Sequence, residues 1–206
     1  EKLYEQQKLF IGNASHEMQT PLAVCCNRLE MLLEDENIGE RNMEEIVKTL
    51  KTLEKLSRMN KSLLMLCKIE NGQYSEYKKV SINELVSGMI ETYKEVFAHK
   101  NIEVRFSSVG EFVVDINESL ASMLVSNLIK NAFLHNDDGR CIEISVDQSC
   151  FSVSNSGDNP LDSNKVFQRF YQGNKKEGST GLGLALCDTI CRASGLRISY
   201  EYRQGM

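Results

Sequence analysis

An apolar residue returns at every seventh position in the first third of the chain, and this repeat limits the fold more than any other feature. The repeat comprises Tyr4, Ile11, Met18, Cys25 and Leu32. Such spacing is typical of a long helix packed along one seam. Residues 37–39 are predicted to form a turn, after which the apolar spacing resumes and stops near Gly72. Residues 1–71 are therefore predicted to form a helical hairpin.

Two helices of this length, each roughly 50 Å long at 1.5 Å per residue, cannot bury an apolar seam by packing only on each other. Pairing of two hairpins into a four-helix bundle covers the seam. The sequence therefore predicts a homodimer.

Short alternating runs interrupted by Gly, Asn and Ser replace this pattern after Gly72, which marks a domain boundary. Helices are predicted over residues 81–98, from 117 onward and over 181–194, with strands at 102–106, 112–114, 141–147, 150–154 and 197–202. Residues 81–84 fit a capping box, and Gly195 fits the position that follows a helix end. This mixture predicts a two-layer α/β domain with mixed strand order.

The fold class is therefore multidomain, with an all-α part and an α/β part. Residues 1–72 form the hairpin, residues 73–79 a linker, and residues 80–206 the α/β domain. This domain is expected to lack its closing strand because the sequence stops at Met206.

Charge and cysteine content exclude several classes of protein. The chain has 24 Lys and Arg against 29 Asp and Glu, a net charge of −5, so no basic field for sequence-independent nucleic-acid binding is expected. Seven cysteines without paired C-x-x-C spacing favour a reducing cytosol over a zinc site or a disulfide framework. Cys187 and Cys191, one helical turn apart, are interpreted as buried small hydrophobes. No run approaches the ~20 apolar residues that span a bilayer.

His16 is the first candidate for chemistry. On a helical wheel it lies about 140° from Ile11, and Thr20 lies about 180° away, so both face water. Glu17 is a potential base beside the imidazole, and Pro21 bends the helix at a cost of ~3 kcal/mol. A solvated surface histidine is the alternative interpretation, but this grouping favours a working site.

Asn127, Asn131 and His135 are spaced four residues apart and form one polar stripe on the predicted helix. Asn is a poor helix former, and its carboxamide oxygen is a hard ligand suited to Mg²⁺ shared with nucleotide phosphates. A solvated helix face is the alternative. The ligand interpretation is favoured.

A glycine-rich run at residues 178–184 precedes an apolar helix. Glycines allow the backbone to approach an anion closely, and the N–H groups at a helix start can bind phosphate. Turn and packing roles explain such a run equally well. Residues 155–160 form a second polar loop, and the aromatic residues 167–171 between the two are readable as a lid anchor or as a satellite core.

The order of these motifs resembles the sensor histidine kinases of two-component systems over nearly the whole chain. These motifs are His-Glu-x-x-Thr-Pro-Leu, Asn-x-x-x-Asn, a short glycine loop, Phe-x-x-Phe and Gly-Leu-Gly-Leu. The resemblance implies a dimerisation and histidine-phosphotransfer hairpin, followed by an ATP-binding domain of the gyrase, mismatch-repair and histidine-kinase superfamily. It implies that His16 accepts phosphate, that Glu17 assists its deprotonation, and that Thr20 orients water for dephosphorylation of a partner aspartate.

The resemblance also implies ATP and Mg²⁺ as cofactors, with Asn131 as the metal ligand and residues 167–180 as a mobile lid. The residues expected to bind nucleotide are Asn127, Asn131, His135, Asn155, Gly157, Phe170, Thr180, Gly181, Leu182 and Gly183. The implied partners are a second copy of the chain and a response-regulator receiver domain. The chain is expected to be a cytoplasmic part of a protein held in the bacterial inner membrane, without direct contact with nucleic acid.

Four positions depart from the family pattern, one of which is Ser179 in place of a customary Gly. Asn155 stands where an acidic residue usually accepts from the adenine amino group, Asn159 replaces a Gly, and Leu134 replaces a frequent basic residue. Asn155, Leu134 and the expected lack of the closing strand motivate a second hypothesis, a dimeric signalling scaffold or phosphatase that binds nucleotide weakly.

Overall fold

A computed structural model describes residues 2–34, 38–157, 159–173 and 179–203, with the side chains of α1 described from residue 14 onward except that of His16. The chain divides into two compact units, Glu1–Gln73 and Tyr74–Met206. The first unit contains helices α1 (Lys2–Leu33) and α2 (Glu40–Glu70). A helical hairpin followed by an α/β domain confirms the predicted fold class.

The hairpin buries little of its apolar surface within the single chain. The buried residues of α2 lie towards its C-terminal end and are Asn60, Leu64, Leu66, Cys67 and Ile69. Elsewhere along both helices, large apolar side chains remain exposed. The exposed set is Met18, Val24, Met31, Leu32, Met43, Val47 and Leu56. The heptad seam is therefore only partly covered by the hairpin's own packing.

The second unit contains helices α3 (Ile82–Val96), α4 (Glu118–His135) and α5 (Gly183–Ala193), and a short 3-10 helix at Ala98–Lys100. Its strands are β1 (Lys78–Ser81), β2 (Glu103–Val109), β3 (Val113–Ile116), β4 (Cys141–Asp147) and β5 (Phe151–Ser154). β1 pairs antiparallel with β3. In the other sheet β4 lies in the centre, parallel to β2 and antiparallel to β5, so the strand order is mixed as predicted.

Side-chain alternation along β4 explains how the three-stranded sheet faces the helices. Ile142, Ile144 and Val146 are buried and the residues between them are not, which is the period of a half-buried strand. α4 packs against both α3 and α5. Its Phe133 is 1% exposed and its ring stacks on that of Phe97 at 5.5 Å, as part of a closed core.

The start of α3 differs from the predicted capping box. Ser81 occupies the N-cap position, but its side chain makes no capping hydrogen bond, because the residue is also the last of β1 and pairs with Val113. The side chain of Asn83 bonds to the segment just before β3. Its Oδ1 accepts from the Phe112 N–H, and its Nδ2 donates to the Gly110 carbonyl. The capping-box prediction was wrong, and β1 was not anticipated.

The segment after α5 also differs from prediction. Gly195 has a φ of +68° and follows the helix end as predicted, and the Leu196 N–H donates to the Cys191 carbonyl. Within the described residues, however, 197–202 form no strand. A strand requires a ladder of hydrogen bonds to a neighbour, and this segment is not paired with any of the five strands.

Candidate functional site

The segment around His16 lies in α1, which continues through Pro21 to Leu33. The side chain of His16 lies outside the part of the chain that the structure describes. Glu17 and Thr20 are exposed, as the helical wheel predicts for Thr20. Both polar side chains are therefore open to a partner or to water.

A buried amide joins the two helices one residue before His16. Nδ2 of Asn60, which is 4% exposed, donates to the carbonyl oxygen of Ser15, which is 1% exposed, at 2.5 Å. A polar side chain inside a helical seam specifies register at some cost in stability. Asn60 was not singled out in the sequence, because a single Asn within the heptad pattern carries no signal of its partner.

α4 carries the polar stripe as predicted. Asn127, Asn131 and His135 are all half-buried, and His135 is the last residue of the helix. Asn127 Nδ2 donates to the Met123 carbonyl at 2.9 Å, and this hydrogen bond does not use the Asn127 Oδ1. Asn117 caps the helix by accepting from two backbone N–H groups at its start.

The start of α5 lies beside Asn127. A Cβ atom on Gly183 would be 3.3 Å from Asn127 Oδ1, so the missing side chain lets the Gly183 backbone approach the Asn127 side chain closely. No side chain caps α5, and its N-cap residue Leu182 is fully buried. The first turn of the helix therefore presents uncapped N–H groups, an arrangement suited to an anion.

Gly181 and Phe170 form a tight contact just before α5. The Phe170 N–H donates to the Gly181 carbonyl at 2.8 Å, and both residues have positive φ, +65° and +70°. A Cβ on Gly181 would be 2.8 Å from the Phe170 carbonyl carbon, so only glycine fits. Thr180 Oγ1 accepts from the Leu182 N–H at 3.4 Å. The rest of the predicted lid, residues 174–178, lies outside the described residues.

The loop at residues 155–157 is tied to the C-terminal end of α4. Oδ1 of the fully buried Asn136 accepts from both the N–H and the Oγ of Ser156, each at 2.8 Å. Ser156 Oγ in turn accepts from the Asp137 N–H at 2.9 Å. Asn155 donates to the Ser156 carbonyl, and Gly157 is exposed. The loop is thus held by Ser156, between two of the predicted nucleotide-binding residues.

The structure brings some of the predicted residues of the second unit into contact at the start of α5, and places others in the loop at residues 155–157. Asn127 meets Gly183, and Phe170 meets Gly181, whereas Asn155 and Gly157 reach α4 only through Ser156 and Asn136. Leu182 contributes its side chain to the core, so a contact of this residue with nucleotide would have to come from its backbone.

Sequence reasoning missed three residues of this region, namely Lys100, Asn136 and Ser156. The run His-Asn-Asp-Asp-Gly after the apolar stripe signals a helix end and could have identified Asn136. Nothing in the sequence connects Lys100 with residues more than thirty positions away.

The cysteines of α5 behave as a buried core, as interpreted from the sequence. Burial raises the pKa of the Cys187 thiol far above its usual range and raises that of Cys191 to about 11. Thiols held protonated are poor nucleophiles and poor metal ligands. Among the described residues, no cluster of three or more His, Cys, Asp or Glu could hold a metal ion, and no helix is long and apolar enough to span a membrane.

Two protein families match the chain. The His Kinase A (phospho-acceptor) domain matches residues 6–72. The family of histidine kinase-, DNA gyrase B- and HSP90-like ATPases matches residues 116–206. The two matches fall in the hairpin and in the α/β unit respectively.

Curated relatives match along almost the whole chain. The sensor histidine kinase RppB of Synechocystis sp. is 33% identical over 204 residues, which cover 91% of this chain and 44% of the relative. The heme sensor protein HssS of Staphylococcus saprophyticus is 26% identical over 198 residues, covering 92% of this chain and 42% of the relative. The chain spans less than half the length of these relatives.

Solved structures of histidine kinases are also similar to this chain. The catalytic domain of histidine kinase ThkA has a TM-score of 0.56 and 26% identity, and the match covers 63% of this chain and 90% of that domain. Full-length ShkA, solved with AMPPNP, has a TM-score of 0.69 over 90% of this chain and 41% of ShkA. At 20% identity, the second likeness concerns the fold alone.

Proposed function

Because the chain belongs to the sensor histidine kinases of two-component systems, we propose that it binds ATP in its second unit and phosphorylates itself on His16. The observation that carries this proposal is the pairing, in one chain, of a phosphoacceptor family match that includes His16 with an ATPase family match over residues 116–206. The uncapped start of α5 beside Asn127 supports it.

The proposed reaction is an in-line phosphoryl transfer. An imidazole nitrogen of His16 forms a bond to the γ-phosphorus of ATP while the bond to the bridging oxygen breaks, and ADP leaves. The Glu17 carboxylate takes the imidazole proton, so that charge and atoms balance. The exposure of Glu17 leaves it free to do so. The N–H groups at the start of α5 hold the phosphates, and catalysis rests mainly on positioning.

The donor set on α4 fits a magnesium ion shared with the nucleotide. Asn131 is half-buried one turn after Asn127, and its carboxamide oxygen is a hard ligand. The described residues contain no acidic or thiol cage that would hold a metal without nucleotide. Mg²⁺, when bound, neutralises charge on the phosphates.

The proposed partners follow from the same family. A second copy of the chain would cover the exposed apolar seam of the hairpin, and an aspartate of a response-regulator receiver domain would take the phosphoryl group from His16. The exposed Thr20 would orient water when that aspartyl phosphate is hydrolysed. Attachment of the longer protein to a membrane stays a prediction.

The test is incubation of the chain with Mg²⁺ and γ-labelled ATP, alongside His16→Gln and the matched control His99→Gln. His99 is exposed, lies in the 3-10 helix and is not part of the proposed machinery. We expect label in the parent and in His99→Gln, none in His16→Gln, and a bond that survives base but not acid. Absence of label from the parent would reject the kinase proposal and favour the scaffold hypothesis.

A further inference from the structure

The side chain of Lys100 reaches the C-terminal end of α4. Its Nζ donates to the carbonyl oxygens of Phe133, Leu134 and Asn136, each at 3.1 Å. These are carbonyls at the C-terminal end of α4 and just beyond it, where helical partners run out. With its side chain only 15% exposed, the ammonium group satisfies all three and lies at the negative end of the helix dipole.

The backbone of Lys100 holds the same turn from the other side. Its carbonyl accepts from the Gly139 N–H at 2.9 Å. Asn136 Nδ2 closes the turn by donating to the carbonyls of Asp137 and Arg140, at 3.2 and 3.0 Å. The end of α4 is therefore fixed by one side chain from a distant segment and one from within.

This fixed turn continues directly into the loop at residues 155–157. Asn136 Oδ1 accepts both hydrogen bonds from Ser156, whose residue is 6% exposed. Ser156 stands between Asn155 and Gly157, so its position sets where these two neighbours lie relative to α4. A continuous path of hydrogen bonds thus runs from Lys100 through Asn136 to the loop.

We propose that Lys100 and Asn136 are positioning residues for nucleotide, which hold loop 155–157 in its binding geometry before the nucleotide arrives. This inference rests on the proposed function, because it assigns the loop to the nucleotide site. Neither residue touches the nucleotide. Their effect is preorganisation, which improves affinity by lowering the ordering cost of binding.

The test compares nucleotide affinity with stability. Lys100→Met keeps the apolar stem and removes the three donated hydrogen bonds. Ile90→Val, at a buried position of α3, is a matched control that lowers stability without touching the path. We expect Lys100→Met to raise the ADP dissociation constant at least about tenfold. We expect Ile90→Val to leave it within about twofold at a similar loss of melting temperature. The labelling rate at saturating ATP should remain near that of the parent.

Two further substitutions test the hydrogen bonds between Asn136 and the loop at residues 155–157. Ser156→Ala keeps the backbone hydrogen bond to Asn136 and should weaken ADP binding less than Asn136→Leu, which removes the acceptor of the Ser156 N–H and leaves the Ser156 Oγ with Asp137 Oδ2 alone, at 3.2 Å. Hydrogen exchange on the unmodified chain needs no variant to fold: the Ser156 amide should be protected without nucleotide. Rapid exchange at Ser156 would overturn the proposal.

The outcomes separate this proposal from the kinase proposal. If the unmodified chain binds no nucleotide, both are overturned. If it binds ADP and Lys100→Met binds equally well, or if Lys100→Met and Ile90→Val weaken binding alike, only the positioning role is overturned and both residues serve stability alone.

Discussion

The hairpin and the α/β unit differ in how far they bury their large apolar side chains. In the hairpin, Met31 is 70% exposed and Leu32 49% exposed, whereas Ile129 in α4 is fully buried and Phe133 is 1% exposed. The α/β unit closes its core with its own helices and sheet. The hairpin has helices of the right pattern but too few of them, so its seam remains open within one chain.

We therefore expect the two units to depend on assembly to different degrees. Covering a Leu or Met side chain contributes roughly 1.5–3 kcal/mol, so the hairpin would gain stability if a second copy covered its seam, as proposed above. The α/β unit already buries a core within one chain. Changes in one unit should therefore alter assembly, and changes in the other should alter nucleotide chemistry.

The largest effect is expected from Asn131→Ala. Loss of the proposed metal ligand should reduce phosphate labelling at least about 100-fold, because charge neutralisation by a bound metal is worth several kcal/mol. Dimerisation should not change, since α4 belongs to the other unit. The control is Lys130→Ala, an exposed neighbour on the same helix. Labelling of Asn131→Ala at the parent rate would remove Asn131 from the site.

Leu32→Glu should separate assembly from binding. A charge in the seam opposes burial, and the dimer should dissociate at least about tenfold more readily by analytical ultracentrifugation. Asn27→Glu adds the same charge at an exposed position away from the repeat and serves as the control. The ADP affinity should be equal in all three proteins. An unchanged dimer in Leu32→Glu would disprove the assignment of the seam.

Gly181→Ala tests the tight contact before α5. Its positive φ and the 2.8 Å approach to Phe170 leave no room for a methyl group, so we expect a loss of about 1–3 kcal/mol in the free energy of unfolding in urea. Gly88→Ala, in the open on α3, should instead stabilise by about 0.5–1 kcal/mol. Equal effects of the two substitutions would contradict the described geometry.

The smallest effect concerns pH and the turn between β4 and β5. Hydrogen bonds from Ser149 and from the Cys150 N–H hold the pKa of Asp147 below its usual range. A depressed pKa stabilises the fold above the unfolded value of about 3.9, and this contribution disappears as pH falls through the folded value. The melting temperatures of the parent and of Asp147→Asn should therefore differ at pH 7 and converge in acid.

Exposed Glu111→Gln is the control for the loss of one carboxylate. A difference between parent and Asp147→Asn that persists unchanged below pH 3 would show that ionisation of Asp147 is not its source.

Local patterns explain which parts of the fold could be predicted. The heptad repeat identified the first helix of the hairpin, the resumed apolar spacing identified the second, and the strand-like pattern of residues 141–147 identified β4 with its bounds, because these signals are periodic and strong. Ser81 failed as a capping box because strand pairing with Val113 determined its surroundings. Residues 197–202 alternate like a strand, but alternation does not supply a neighbouring strand with which to pair.

In the candidate site, too, some features could be predicted from the sequence and others could not. Glycine at positions 181 and 183 was expected from the local run, and the structure adds the neighbours that require it, Phe170 and Asn127. The Lys100 contacts could not be predicted, because they join segments distant in sequence through carbonyl oxygens that every residue possesses. Side-chain identity alone does not encode such a contact.

Autophosphorylation on His16 is tested most directly by locating the phosphoryl group after incubation with Mg²⁺ and ATP. Digestion with trypsin under basic conditions yields a peptide of residues 9–28, in which His16 is the only histidine. We expect mass spectrometry to find the phosphoryl group on His16 in this peptide and on no peptide from residues 74–203. A phosphoryl group within residues 74–203, or none on the peptide that contains His16, would contradict this expectation.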